Sequence, residues 1–380
     1  RRRVGGLRRQ KVLTNVTAGS DLPKGTKMPV EMIGWVSPRV SSEIIAPAGP
    51  PFNIDVITES AKLHEAADFD RVLVGYFSGA PDGFMITAHA AAQTERLAFL
   101  LAHRPGFISP TLAARKLATL DQLSNGRLAV HLIAGGNDVD QAKDGDFLDH
   151  DDRYLRLDEY AGILRRNWTE TAPFDHDGQF YRLKGAQADI RCRQLPHIPV
   201  YGGGGSDAAI AALTPHLDVF MLWGEPLADT AAFMARVHKA AASRGRTPTF
   251  SLSTRPILAK TDDKAWDRAH DILAQIERSS QKLGQRENIG SLRLLAAAET
   301  GELHDSCLWM KLAQATGAQG NSTALVGAPD TVAKAMVEYY KLGATSLLVR
   351  GYDPLPDAQQ YGAELIPLVR KLVAEVDAAA

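Results

Sequence analysis

Eight short apolar runs recur along this chain, most of them followed by an amphipathic, helix-like segment. They occupy 32–37, 71–76, 97–104, 128–135, 198–205, 218–225, 250–258 and 345–352. A short continuous apolar run is what a parallel strand buried on both faces requires, because neither face meets water. Eight strand–helix units predict a (β/α)8 TIM barrel with insertions, an α/β fold whose chemistry sits at the carboxyl ends of its strands. Those ends carry Trp35, Tyr76, His103, Arg104, Ala134, Gly135, the glycines at 202–205 with Ser206, Trp223, Glu225, Arg255 and Tyr352. The rhythm that predicts the fold therefore also marks where a site should lie.

A chain of 380 residues suits one such barrel, and 29–380 reads as a single domain. Arg1, Arg2, Arg3, Arg8, Arg9 and Lys11 crowd the start, and the apolar stretch after them is too short and polar for a signal peptide. Residues 1–28 are expected to be a disordered or artefactual basic extension. The formal net charge of −1 gives the molecule no bias toward nucleic acid or an anionic membrane. Two cysteines, Cys192 and Cys307, make a disulfide framework improbable and point to the cytoplasm. No apolar stretch approaches the ~20 residues that span a bilayer.

Local punctuation supports the same order. A loop of low regularity, 38–53, follows the first strand and precedes a helix from about 54 to 67. Ser109 is a sound helix cap with Pro110 at the first helical position, and Asn125-Gly126 should stop that helix before strand four. His89 reads as a packed helix residue. Phe174 to Tyr181 reads as a hairpin turn with Asp177-Gly178 at its tip. A second long excursion, 260–344, opens on a capped helix start at Thr261.

The strongest chemical signal is the run Gly202, Gly203, Gly204, Gly205, Ser206 at the end of strand five, directly before an apolar helix. Glycines let backbone N–H groups approach a ligand, and a helix start adds positive potential and a hydroxyl. This is a phosphate cradle; the alternative is an ordinary flexible turn. It matches neither a Walker loop nor a G-x-G-x-x-G fingerprint. The sequence holds no H-E-x-x-H, no cysteine pair and no G-x-S-x-G elbow, so no zinc site or serine nucleophile is expected. A barrel of this kind leaves the hard chemistry to a cofactor.

The segments Arg104-Pro105, Ser109-Pro110-Thr111, Ala113-Ala114-Arg115 and 118–127 resemble the bacterial luciferase-like flavin monooxygenases, most closely their alkanesulfonate monooxygenase branch. The likeness continues through 147–150 with Arg153-Tyr154, through 203–207 and 223–226, and through 323–327 and 346–352. It implies a barrel that takes FMN as FMNH2 from a separate NAD(P)H-dependent flavin reductase, reacts it with O2 and oxygenates a small organosulfur substrate. In the sulfonate branch that reaction releases sulfite and an aldehyde. A homo-oligomer, dimer or tetramer, is implied as well. The alternatives are a sulfone or other non-sulfonate substrate, or a deazaflavin-dependent dehydrogenase of the same fold.

Carried over residue by residue, Ala134 and Gly135 lie where strand four meets the flavin. His150 and Tyr154 resemble the pair that reaches its phosphate, and Gly204, Gly205 and Ser206 resemble the phosphate loop. Trp35, Trp223 and Tyr352 would line the pocket over the isoalloxazine. The bland alternatives are a helix cap for His150 and core packing for Trp223. The branch usually carries an Arg-x-His pair on strand seven, where this chain has Ser253-Thr254-Arg255. The arginine expected on a loop just before 323 is absent from 318–322. Strand alternation puts Ser253 and Arg255 on one side, so Arg255, with Arg104, is expected to hold an anionic head group. The competing expectation is that Arg255 pairs with a neighbouring acid such as Glu225.

Overall fold

Strands β1 (Glu31–Val36), β2 (Arg71–Val74), β3 (Ala98–His103), β4 (Leu128–Leu132), β5 (Val200–Gly202), β6 (Val219–Trp223), β7 (Thr249–Leu258) and β8 (Ala344–Val349) are the eight predicted runs. Each pairs in parallel with the next, and β8 pairs with both β7 and β1, so the sheet closes. The computed structural model describes residues 30–279, 288–318, 320 and 322–379; the basic extension expected at 1–28 lies outside them. Helices follow the strands: α1 (Ile54–Ala66), α2 (Gly83–Ala92), α3 (Pro110–Leu123), α4 (His150–Thr169), α5 (Asp207–Leu213), α6 (Leu227–Ala242), α7 (Pro329–Leu342) and α8 (Ile366–Ala379).

Strand alternation divides the core in two. Ile33, Leu73, Leu100, Ala129, Tyr201, Val219 and Leu348 point inward and pack together inside the barrel. Met32, Val72, Phe99, Leu101, Phe220 and Phe250 point outward and join the helices in one continuous sheath. Each such side chain, fully buried, contributes about 1.5–3 kcal/mol. The barrel floor is polar. Glu31 accepts from Arg71 Nε at 2.8 Å, from Ser346 at 2.8 Å and from the Tyr201 hydroxyl at 3.0 Å. Burial would raise the Glu31 carboxyl, but Arg71 and these donors hold it below its ordinary value.

The helix boundaries follow the local chemistry. Asn53, Asp82, Ser109 and Asp149 cap the starts of α1, α2, α3 and α4 with their side-chain oxygens. Asn125 and Gly126, with φ of 58° and 80°, end α3 through left-handed backbone as expected. His89 lies on α2 and bonds the Thr58 hydroxyl at 2.8 Å. The hairpin expected around Asp177-Gly178 is present as strands Phe174–Asp177 and Arg182–Ala186.

Three short strands went unanticipated: Leu303–His304, Leu308–Trp309 and Ala324–Gly327. The last pairs in parallel with residues 255–258 of β7, so β7 outlasts the barrel and carries the second excursion on its far half. Helices Asp262–Ser279 and Ile289–Thr300 fill that excursion. No helix among the described residues is long and apolar enough to cross a membrane.

Candidate active site

The glycine run leaves β5 at the carboxyl end of the barrel and turns into α5. A Cβ on Gly204 would stand 2.5 Å from the Tyr154 hydroxyl and 2.5 Å from the Ala209 Cβ. Only a bare backbone fits there, and α4 delivers a phenol directly to it. Burial pushes that phenol up to about 12, with Arg153 pulling slightly the other way, so Tyr154 stays a proton donor at working pH. His150, the first residue of α4, meets the Tyr154 ring edge-on at 5.0 Å between centroids. Its Nδ1 pairs with the Asp151 carboxylate at 2.7 Å. The Ser206 hydroxyl accepts the Ala209 N–H at 3.1 Å, which leaves its own O–H to donate. His150, Tyr154, Gly204, Gly205 and Ser206, far apart in sequence, thus form one cluster of donors around bare backbone. Such a cluster fits a phosphate dianion.

Ala134 and Gly135 follow β4 as expected. Gln141 donates to the Ala134 carbonyl at 2.7 Å, and its amide fills the space where a Gly135 side chain would be. Gly135 has φ 86°, so glycine answers both sterics and backbone at that point. Trp223 ends β6, half-buried, against Gly290 at the start of helix Ile289–Thr300. Ile289 also approaches Gly205, and Asn288 approaches Gly136. The second excursion therefore roofs the mouth beside the glycine loop, a contact the sequence did not announce. Trp35, one residue before the end of β1, donates its indole N–H to Ser37 at 2.6 Å, and the Arg350 guanidinium lies 5.1 Å from its ring centroid.

Three expectations need correction. Arg255 is 2% exposed and does not present an open fork. Its Nη1 and Nη2 grip the Glu43 carboxylate at 3.0 and 2.9 Å, and its Nε and Nη2 donate to the carbonyls of Arg350 and Gly351 at 2.6 and 3.0 Å. The partner acid is Glu43, from the loop after β1; Glu225 pairs instead with Arg293. Tyr352 is 1% exposed and packs with Ile257 and Trp309 in a second apolar cluster, its ring 3.9 Å from the Arg255 guanidinium carbon. It buttresses that arginine, and its hydroxyl is buried without a hydrogen-bond partner among the described residues. Arg104 donates to Ser78 at 2.9 Å and Asp140 at 2.5 Å and covers the Tyr76 ring at 4.7 Å. It ties together the loops after β2, β3 and β4.

Sequence reasoning passed over His131, inward on β4. Burial lowers its imidazole to about 4, and its Nδ1 has no hydrogen-bond partner among the described residues. Ser251, inward on β7, likewise has a buried hydroxyl without a partner. Strand alternation alone could have flagged both. Among the described residues no group of three or more His, Cys, Asp or Glu could hold a metal ion.

The family profile described as luciferase-like monooxygenase matches residues 31–346. The fold is similar to EDTA monooxygenase (EmoA) from Chelativorans sp. BNC1, at 17% identity over 91% of this chain and 94% of that one, with a TM-score of 0.73. A riboflavin lyase (RcaE), solved with modified FMN and riboflavin, matches at 17% identity over 91% and 92% with a TM-score of 0.74. Long-chain alkane monooxygenase (LadA) matches at 17% identity over 91% and 92% with a TM-score of 0.72.

Proposed function

The chain belongs to the luciferase-like monooxygenase family of flavin-dependent enzymes, and on that premise we propose that it takes FMNH2 from a separate NAD(P)H-dependent reductase to oxygenate a small organosulfur substrate with O2. The substrate we favour is an alkanesulfonate, oxidised to an aldehyde with release of sulfite. Bound FMNH2 supplies the two electrons: one oxygen atom of O2 goes to the substrate carbon, the other leaves as water, and the carbon–sulfur bond breaks.

One observation carries this reading: the Tyr154 phenol opposed to the bare Gly204 backbone. Tyr154 Oη, the Ser206 hydroxyl and the glycine N–H groups would hold the phosphate end of FMN, with His150 beside them. The cluster serves a single terminal phosphate, which favours FMN over FAD. Trp35 and Trp223 would wall the mouth and exclude water from it. A neutral sulfone is the second reading, favoured by the closure of Arg255 on Glu43.

Anaerobic titration with FMNH2, FAD and F420, followed by sulfite assay with a reductase and octanesulfonate, tests the proposal. FMNH2 should bind best, and sulfite should appear only with O2 and reductase present. F420 binding at least tenfold tighter than FMNH2, a difference of about 1.4 kcal/mol, would transfer the site to deazaflavin chemistry.

A further inference from the structure

We propose that the anionic head of the substrate is held by Arg350 and Arg39, at the rim between the loop after β1 and the end of β8, in place of Arg255. The inference rests on the oxygenase reading above and names its substrate-anchoring residues. Arg350 is the first residue past β8 and sits over Trp35. Among the described residues its Nε is buried without a hydrogen-bond partner, and its one side-chain bond is a long 3.4 Å contact from Nη2 to the Ser41 carbonyl. Arg39 makes no side-chain hydrogen bond or ion pair among the described residues. Both line one narrow cleft.

Charge counting points the same way. Arg39, Arg255 and Arg350 gather at this rim, and Glu43 is the carboxylate among them, committed to Arg255 in bidentate fashion. Three guanidiniums thus share one carboxylate, which also attracts Arg350, and the local sum stays positive. Burial, and then the nearby Arg255, push the Arg350 guanidinium below its ordinary value, with Glu43 and Tyr352 pulling the other way, so an added anion would favour its charged form. Among the described residues no carboxylate lines the cleft. The Ser37 hydroxyl, which accepts from Trp35, can donate to an added oxygen. His64 adds no charge, because burial lowers it to about 4. Trp35, Val56, Phe69 and Leu355 give the cleft an apolar wall. Donors at one end and hydrocarbon beside them suit an amphiphilic anion, and a guanidinium fork matches sulfonate oxygens.

Calorimetric titration of the flavin-free chain with sodium octanesulfonate and with neutral methyl octyl sulfone tests the assignment. The sulfonate should bind at least tenfold more tightly than the sulfone. Arg350→Met should weaken the sulfonate at least tenfold, leave the sulfone unchanged and preserve the circular dichroism spectrum. Arg350→Lys, which keeps the charge but loses the fork, should fall between. Equal affinity for the two ligands, or undiminished sulfonate binding in a folded Arg350→Met, overturns the proposal. If Arg350→Met does not fold, unchanged sulfonate affinity in Arg350→Lys overturns it instead. Arg350-dependent sulfonate binding by a chain that fails to bind FMNH2 would refute the oxygenase reading while leaving this anion site standing.

Discussion

Replacing Glu43 by glutamine removes the counter-ion of a buried arginine, and the structure fixes what should follow. Burial works to raise the Glu43 carboxyl, but Arg255, with Arg350 behind it, brings it from 4.5 down to about 2. That displacement corresponds to roughly 3 kcal/mol of native-state stabilisation at neutral pH. The figure sits at the lower end of the roughly 3–5 kcal/mol lost when one member of a buried pair is deleted. Because the folded value lies below the unfolded one, the contribution is complete above pH 4.5 and disappears as pH falls toward 2. Urea unfolding of the wild type, Glu43→Gln, Arg255→Met and the double variant gives the assay. Each single variant should lose about 3 kcal/mol at pH 7. The double variant should lose clearly less than the sum, because neither charge is left alone. Glu43→Gln should also flatten the pH dependence between 4.5 and 2. Single variants losing under about 1 kcal/mol, with strictly additive effects, would mean that the pair is not coupled. Arg255 would then be free to bind substrate, and the case for Arg350 would lose its main support.

Tyr154→Phe deletes one donor to a charged phosphate and should weaken FMNH2 binding by about 1.5–3 kcal/mol, tenfold or more, with the melting temperature held; unchanged affinity in an anaerobic titration would place the phosphate elsewhere. Gly204→Ala puts a Cβ 2.5 Å from the Tyr154 hydroxyl, so flavin binding should fall with the fold intact; tight FMNH2 binding by that variant would show that the turn is merely flexible. Burial lowers His64 to about 4, His131 to about 4 and His103 to about 3, so each imidazole takes up a proton on unfolding. Stability should therefore decline as pH falls below 6.5, beginning before the Glu43 window opens at 4.5, and an unfolding free energy that is flat between pH 7 and pH 5 would contradict the burial of these rings.

The barrel was legible because its strands are buried on both faces and so must read as apolar runs; 71–76 and 218–225 each hold such a strand. The glycine run was legible because glycines dense enough to bare a backbone stand out in any sequence, and the structure sets the Tyr154 hydroxyl against it. Arg255 shows where reading stopped. Its partner Glu43 lies 212 residues away in an irregular loop, and neither periodicity nor motif links the two. Tyr352 resisted for a related reason: its place in the second apolar cluster depends on Ile257 of β7 and on Trp309, which the excursion folds against it. The two-residue strands Leu303–His304 and Leu308–Trp309 are too short to show alternation. The approach of Asn288 to Gly136 joins loops that share no sequence signal.

The strand that outlasts the barrel has a consequence for how this family can change. Arg255 stands opposite Ala324 and Leu258 opposite Gly327, so the long excursion leaves and returns through a single short ladder. Its ends are pinned side by side whatever lies between them. Closing a longer loop over fixed ends costs only about 0.6 kcal/mol per doubling of its length. Residues can be gained or lost between that exit and return without disturbing the register of the barrel wall. The stretch that roofs the mouth can thus be rewritten on its own, while the frame beneath it stays constant.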